Sequence, residues 1–145
     1  MDFLTALKIS SSALSAQRLR MDVISSNLAN VSTTRSPEGG PYRRRDVVFS
    51  SQPVRNSFQD MMNSQISDKL SEVKVVDIID DPAPPVLKYD PQHPDADQKG
   101  FVRLPNINMI KEMVNMMSAT RSYEANVTAV KATKNMAKKA LEIGK

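Results

Sequence analysis

The sequence predicts an α+β fold: long N- and C-terminal helices packed as an antiparallel, coiled-coil-like pair, with a small antiparallel β unit inserted between them. Three observations carry this. All nine prolines lie between Pro37 and Pro105. Apolar residues recur every seven positions at both proline-free ends. The middle carries short runs of Val, Ile and aromatic residues between turn-forming clusters. Proline inside a helix removes a backbone donor and clashes with the preceding turn, so the ends are free to be long helices and the middle is not. The chain divides accordingly into an N-terminal assembly helix over 1–34, a proline-bearing β/loop insert over 35–105 and a C-terminal assembly helix over 106–145.

In the N-terminal segment, Leu7, Leu14, Met21 and Leu28 form one seven-residue row. Phe3, Ile24 and Val31 fall on the companion row, where Ser10 and Gln17 are polar breaks. Such spacing makes one apolar stripe on a helix. The breaks argue against a stable two-stranded coil of this helix alone. A helix over 2–30 spans about 43 Å at ~1.5 Å per residue. Asp2 suits its N-cap. Asn30 suits its end, because Asn tolerates left-handed backbone.

The cluster Ser36-Pro37-Glu38-Gly39-Gly40-Pro41 is a turn by composition. Tyr42, Val47, Val48 and Phe49 place a first strand over 42–51. Arg43, Arg44 and Arg45 alternate faces in such a strand, which fits ion pairing within the chain or to a partner rather than one basic stripe. Residues 56–72 fit either a short amphipathic helix or a flexible loop. Val73, Val75, Ile78 and Ile79 mark a second strand. Val86, Leu87 and Tyr89 mark a third, and Phe101 to Leu104 a fourth. Asp90, His93, Asp95 and Asp97 read as solvated turn residues, since their spacing matches no calcium loop.

In the C-terminal segment, Met109, Met116, Tyr123, Val130 and Ala137 form one row. Met113, Thr120, Val127, Lys134 and Leu141 form the other. Asn106 or Asn108 suits the N-cap, and Gly144 the end. The helix would be about 55 Å long, with surplus stripe beyond the shorter N-terminal helix. Its methionines give an adaptable apolar surface, suited to core packing or to several different neighbours.

At 145 residues, with 40% hydrophobic content and no Trp, the chain is one domain's worth with a thin core. The absence of Cys excludes disulfides and thiolate metal sites. No nucleophile elbow, glycine-rich phosphate loop or zinc signature occurs. The sequence therefore offers no catalytic, metal or cofactor site, and we expect no enzyme. No run reaches the ~18 apolar residues of a membrane span. The N-terminus does not read as a cleavable signal peptide, which by itself suggests the cytosol. Net charge is +4: +1 over 1–34, −1 over 35–105 and +4 over 106–145. Lys131, Lys134, Lys138 and Lys139 lack the interleaved aromatics of a nucleic-acid surface. A self-contained coiled-coil adaptor and, behind it, a basic-helix nucleic-acid binder are the alternatives to an assembly subunit.

The run Ser25-Ser26-Asn27-Leu28-Ala29-Asn30-Val31-Ser32-Thr33-Thr34-Arg35, continued by Gly40-Pro41-Tyr42-Arg43-Arg44, resembles the N-terminal signature of the flagellar rod, hook and hook-associated axial proteins. At the far end, Glu112-Met113-Val114-Asn115-Met116 and Arg121-Ser122-Tyr123-Glu124-Ala125-Asn126 resemble the same family's C-terminal block, as do Lys134-Asn135-Met136 and Ala140-Leu141-Glu142-Ile143-Gly144. Tyr89-Asp90-Pro91 agrees, whereas 52–80 carries no family pattern. The resemblance is nearest to the proximal-rod proteins of the basal body.

It implies a non-enzymatic structural subunit assembling through its terminal helices into a helical tube that transmits torque for motility. It also implies export without a cleaved signal peptide, through the flagellar type III apparatus, to a periplasmic rod near the membrane ring. The implied partners are copies of the chain, the rod proteins FlgB and FlgF, and the adaptor FliE. The residues expected at the assembly interface are Leu7, Leu14, Met21, Ile24 and Leu28 of the first stripe, with Asn27 and Asn30 of the signature. From the second helix they are Met109, Met113, Met116, Tyr123, Val127, Val130 and Leu141.

Overall fold

The computed structural model describes residues 3–37, 39–53 and 70–143. Helix α1 spans Phe3–Ala29, strand β1 Arg45–Pro53, β2 Ser71–Asp80, β3 Val86–Tyr89 and β4 Phe101–Leu104, and helix α2 spans Met109–Ile143. The helices are about 40 Å and about 52 Å long at ~1.5 Å per residue. The expected caps Asp2 and Gly144 lie outside the described residues, as does most of 56–72; of that stretch, Ser71 and Glu72 belong to β2.

Helix α1 lies between α2 and the β1–β2 ribbon, and among the described elements α2 packs against α1 alone. The helix pair is antiparallel. Asn27, late in α1, reaches Glu112 early in α2, while Met21 meets Thr120 further along. The strands form two separate antiparallel ribbons rather than one continuous sheet. In the first, Arg45 faces Asp80 and Pro53 faces Ser71, with a bulge beside Val48 and Phe49. In the second, Val86 faces Leu104 and Tyr89 faces Phe101. The long ribbon is fastened to α1 by Val73 N, which donates to Ser12 Oγ at 3.2 Å. The Arg20 guanidinium sits 6.0 Å from the Phe49 ring centroid, within cation–π range.

Local chemistry decides the element ends. Asn30 does end α1, but no non-glycine residue among those described has positive φ. It acts through its side chain instead: Nδ2 donates to Ser26 O at 2.9 Å, and Oδ1 accepts from Thr33 Oγ1 at 3.1 Å. Strand β1 starts three residues later than expected. Tyr42 N donates to Thr33 O at 3.2 Å, which folds 42–44 back towards α1 before pairing with β2 begins. Asn108, not Asn106, caps α2: its Oδ1 accepts Lys111 N at 3.1 Å.

The core is thin, as composition suggests. Its buried apolar residues are Ala16, Val23 and Ile24 of α1, Val102 of β4 and Ala119 of α2. Gln17, one of the expected breaks in the stripe, has a buried Oε1 with no partner among the described residues. Such an atom costs stability.

The loop between β3 and β4 is built by the acids that looked merely solvated. Asp97 Oδ1 accepts from Lys99 N at 2.8 Å and Phe101 N at 3.0 Å. These backbone donors hold its carboxyl below the ordinary aspartate value. Gly100 adopts φ +81°, and a Cβ there would stand 3.0 Å from Tyr89 Cε2. Replacing Gly100 with Ala should therefore destabilise the chain by about 1–2 kcal/mol from left-handed backbone strain alone. Thermal unfolding would show it; an unchanged midpoint would contradict the assignment.

Asp95 joins this loop to the segment after α1. It accepts from Thr34 Oγ1 at 2.7 Å and pairs with Arg35. The Thr34 hydroxyl chiefly, then the Arg35 charge, hold its carboxyl below the ordinary value, against a partial desolvation that works to raise it. A depressed carboxylate stabilises the fold above its unfolded pKa, and that contribution is lost as pH falls through the lower folded value. The denaturant midpoint of Asp95→Asn should lie below that of the parent at neutral pH. The gap should close once the pH is well below the ordinary aspartate range. An equal gap at both pH values would remove this account.

Candidate functional site

Two features of the helix pair stand out: a buried polar cluster at one end and an uncovered apolar face beside it. The cluster centres on Asn27, which is 0% exposed. Its Oδ1 accepts from Arg45 N at 2.9 Å and from the Tyr42 hydroxyl at 3.1 Å. Its Nδ2 donates to Arg45 O at 2.8 Å and to Glu112 Oε2 at 3.2 Å. Both donor hydrogens and both acceptor positions of the amide are thus used. Asn27 pairs with the Arg45 peptide much as a neighbouring strand would.

Glu112 is 1% exposed. Its Oε1 accepts from Arg44 Nε at 3.0 Å and from Asn115 Nδ2 at 3.4 Å. Arg44 also donates to Asp46 Oδ2 at 3.1 Å. Burial works to lower the Arg44 pKa, but the hydrogen bonds it donates to Glu112 and Asp46 outweigh it and leave it raised. The guanidinium therefore stays charged opposite the buried carboxylate. Of the three arginines expected to make ion pairs, Arg44 turns inward to Glu112, Arg45 pairs with Asp80 at 3.4 Å, and Arg43 is exposed.

The uncovered face lies on the first turns of α2. Met109, Ile110, Met113, Val114 and Met117 are all exposed, from 51% at Met109 to 75% at Ile110. They lie at helical spacings of one face, three and four apart. The seam of the pair is rotated relative to the expected stripe. Met116, Tyr123, Val130 and Ala137 do turn towards α1, half-buried. Their companions there are Glu112, Ala119, Asn126 and Thr133. The expected second row splits: Thr120 and Val127 are half-buried, whereas Met113, Lys134 and Leu141 face outward. The small residues Ala16 and Ala119 are buried, at 3% and 1% exposed.

On α1, Leu7, Leu14, Met21 and Leu28 are half-buried and Ile24 is buried. Asn30 is half-buried at the helix end, whereas Asn27 is enclosed by its own chain. Sequence reasoning expected Arg44 to form an ion pair but named neither its partner Glu112 nor the role of Tyr42. The one available signal was a carboxylate at 112, in phase with Met116 and Tyr123.

No group of three or more potential metal-ligating side chains converges among the described residues. None of the described helices is long and apolar enough to cross a membrane.

Comparison with known proteins bears on the whole chain. A family profile described as "Flagella basal body rod protein" matches residues 7–35, and one described as "Flagellar basal body rod FlgEFG protein C-terminal" matches residues 98–143. The chain is 52% identical to the flagellar basal-body rod protein FlgC of Bacillus subtilis, over 97% of each chain. It is 45% identical to FlgC of Borreliella burgdorferi, over 99% of this chain and 98% of the relative. It is 42% identical to FlgC of Escherichia coli O157:H7, over 99% of both. The chain belongs to the FlgC family of flagellar basal-body rod proteins. The two profile matches cover α1 from Leu7 onward with its following turn, and β4 with α2. Asn27 and Glu112 thus come from the two matched regions, and Arg44 comes from the FlgC insert between them.

Proposed function

We propose that this chain is a structural subunit of the flagellar basal-body proximal rod, built into a helical tube by its terminal helices and carrying torque along it. The observation that carries the reading is the face of Met109, Ile110, Met113, Val114 and Met117, apolar and exposed among the described residues. Contiguous exposed apolar surface marks a binding surface. FlgC membership says what kind of assembly supplies the cover: other basal-body components. The division at 1–34, 35–105 and 106–145 then separates two assembly helices from an insert that makes lateral contacts.

In this reading the interface draws on Leu7, Leu14, Met21, Ile24 and Leu28 of α1 and on the outward residues of α2, Leu141 included. Asn27 and Asn30 contribute by fixing the end of α1. The partners are further copies of the chain, FlgB, FlgF and FliE. The subunit reaches the periplasm through the flagellar export apparatus without a cleaved signal peptide, and it performs no catalysis. A tagged chain is expected to co-purify with basal bodies from the bacterium that encodes it, and to remain after the filament and hook are stripped. Recovery only in the soluble fraction would remove the reading.

A further inference from the structure

We infer that the buried Asn27–Glu112–Arg44 cluster sets the axial register of α1 against α2, and that the apolar seam alone does not. The seam repeats. On α1, Leu7, Leu14, Met21 and Leu28 are seven residues apart, as are Met116, Tyr123, Val130 and Ala137 on α2. Sliding one helix past the other by a heptad would return apolar residues to apolar positions, so burial distinguishes such registers weakly. The most buried apolar side chains of the pair, Ala16, Val23, Ile24 and Ala119, are small or medium-sized and offer few unique knobs.

The polar cluster does not repeat. Asn27 is fully satisfied only where Glu112 lies beside it and the Arg45 peptide runs past it. Glu112 is compensated only where Arg44 reaches it. One heptad of slip would separate the Glu112 carboxylate from Arg44, and breaking a buried ion pair is strongly unfavourable. A single polar residue in an apolar helix seam is the best attested register device. Here it also ties in the insert, because Arg44 O accepts from Asp81 N at 2.7 Å at the head of the β1–β2 ribbon. The cluster therefore fixes α1, α2 and the ribbon to one another in one step. This inference concerns the isolated chain and stands apart from the rod reading.

The chain has no Cys, so engineered pairs report register without background. Met21 Sδ lies 3.6 Å from Thr120 Oγ1, which marks the native pairing. Met21→Cys is combined with Thr120→Cys, or with Met113→Cys or Val127→Cys one heptad away in either direction. Oxidised with the cluster intact, the Thr120→Cys combination alone is expected to cross-link efficiently.

The decisive background is Arg44→Met with Glu112→Leu. Replacing a buried ion pair by apolar residues of similar size commonly preserves stability. In that background helical content should persist, while cross-linking spreads to a shifted pair at a tenth or more of the native yield. Retention of the native cross-link alone would overturn the inference. So would loss of the helical signal in this variant, because the cluster would then supply stability rather than choice of register. The single variant Glu112→Gln offers a milder second reading. A shifted cross-link there adds support to a shift in the double variant, whereas a strictly native pattern in the double variant overturns the inference whatever this variant shows.

Discussion

Replacing Met113 and Met117 together with Asp should leave the isolated chain folded and eliminate its incorporation into basal bodies. Both side chains are more than half exposed in the free chain, at 53% and 55%. Surface substitutions of that kind usually change stability by no more than about 0.5 kcal/mol. The lower helix propensity of Asp adds a few tenths at each site. Once the face is covered by a neighbouring subunit, each carboxylate is buried without a partner. That costs several kcal/mol per site, enough to prevent association. The readouts are the thermal midpoint of the purified variant and swimming in a strain that expresses it as sole copy. Unimpaired swimming with normal rods would sink the assignment of this face.

The contrast with the interior stripe gives the test its value. Leu14 and Val127 are half-buried within the chain itself. Asp at either position damages fold and assembly at once, and cannot separate them. Met113 and Met117 can, because the structure leaves them unused by their own chain.

The second large effect is at Asn27. Truncation to Ala removes four hydrogen bonds and leaves the Arg45 peptide, the Tyr42 hydroxyl and one Glu112 oxygen short of partners. An orphaned buried group costs about 1–3 kcal/mol, so a total loss of about 3 kcal/mol or more is expected. Small domains are stable by only about 5–15 kcal/mol, and this core is thin. Asn27→Ala should therefore shift the denaturant midpoint steeply downward, or prevent accumulation of folded chain. A loss under about 1 kcal/mol would contradict the buried geometry. The effect is compatible with a stable Arg44→Met, Glu112→Leu chain, because removing one partner strands the rest while replacing an ion pair strands little.

Much of the architecture was legible in the sequence. Proline placement and heptad spacing located both described helices, and alternation with turn residues located all four described strands. Asn108 was one of two named caps, and the family signature around Asn27 was visible. Three things were not legible, each for a physical reason. The phase of α2 depends on how closely two helices approach. Ala119 and Thr133 suit that approach, while Met113 and Leu141 look equally eligible by hydrophobicity. The partner of Asn27 lies 85 residues away, and no local spacing reports it. The late start of β1 comes from Tyr42 and Arg44 being drawn back into the cluster, an override of strand propensity by tertiary hydrogen bonds.

The most direct test of the assembly account is electron microscopy of the purified basal body with this chain traced in it. The account places the chain in the proximal rod, with Met109, Ile110, Met113, Val114 and Met117 buried against another subunit and Asn27 still bonded to Glu112 of its own chain. A traced rod in which that face of α2 looks onto solvent would contradict it.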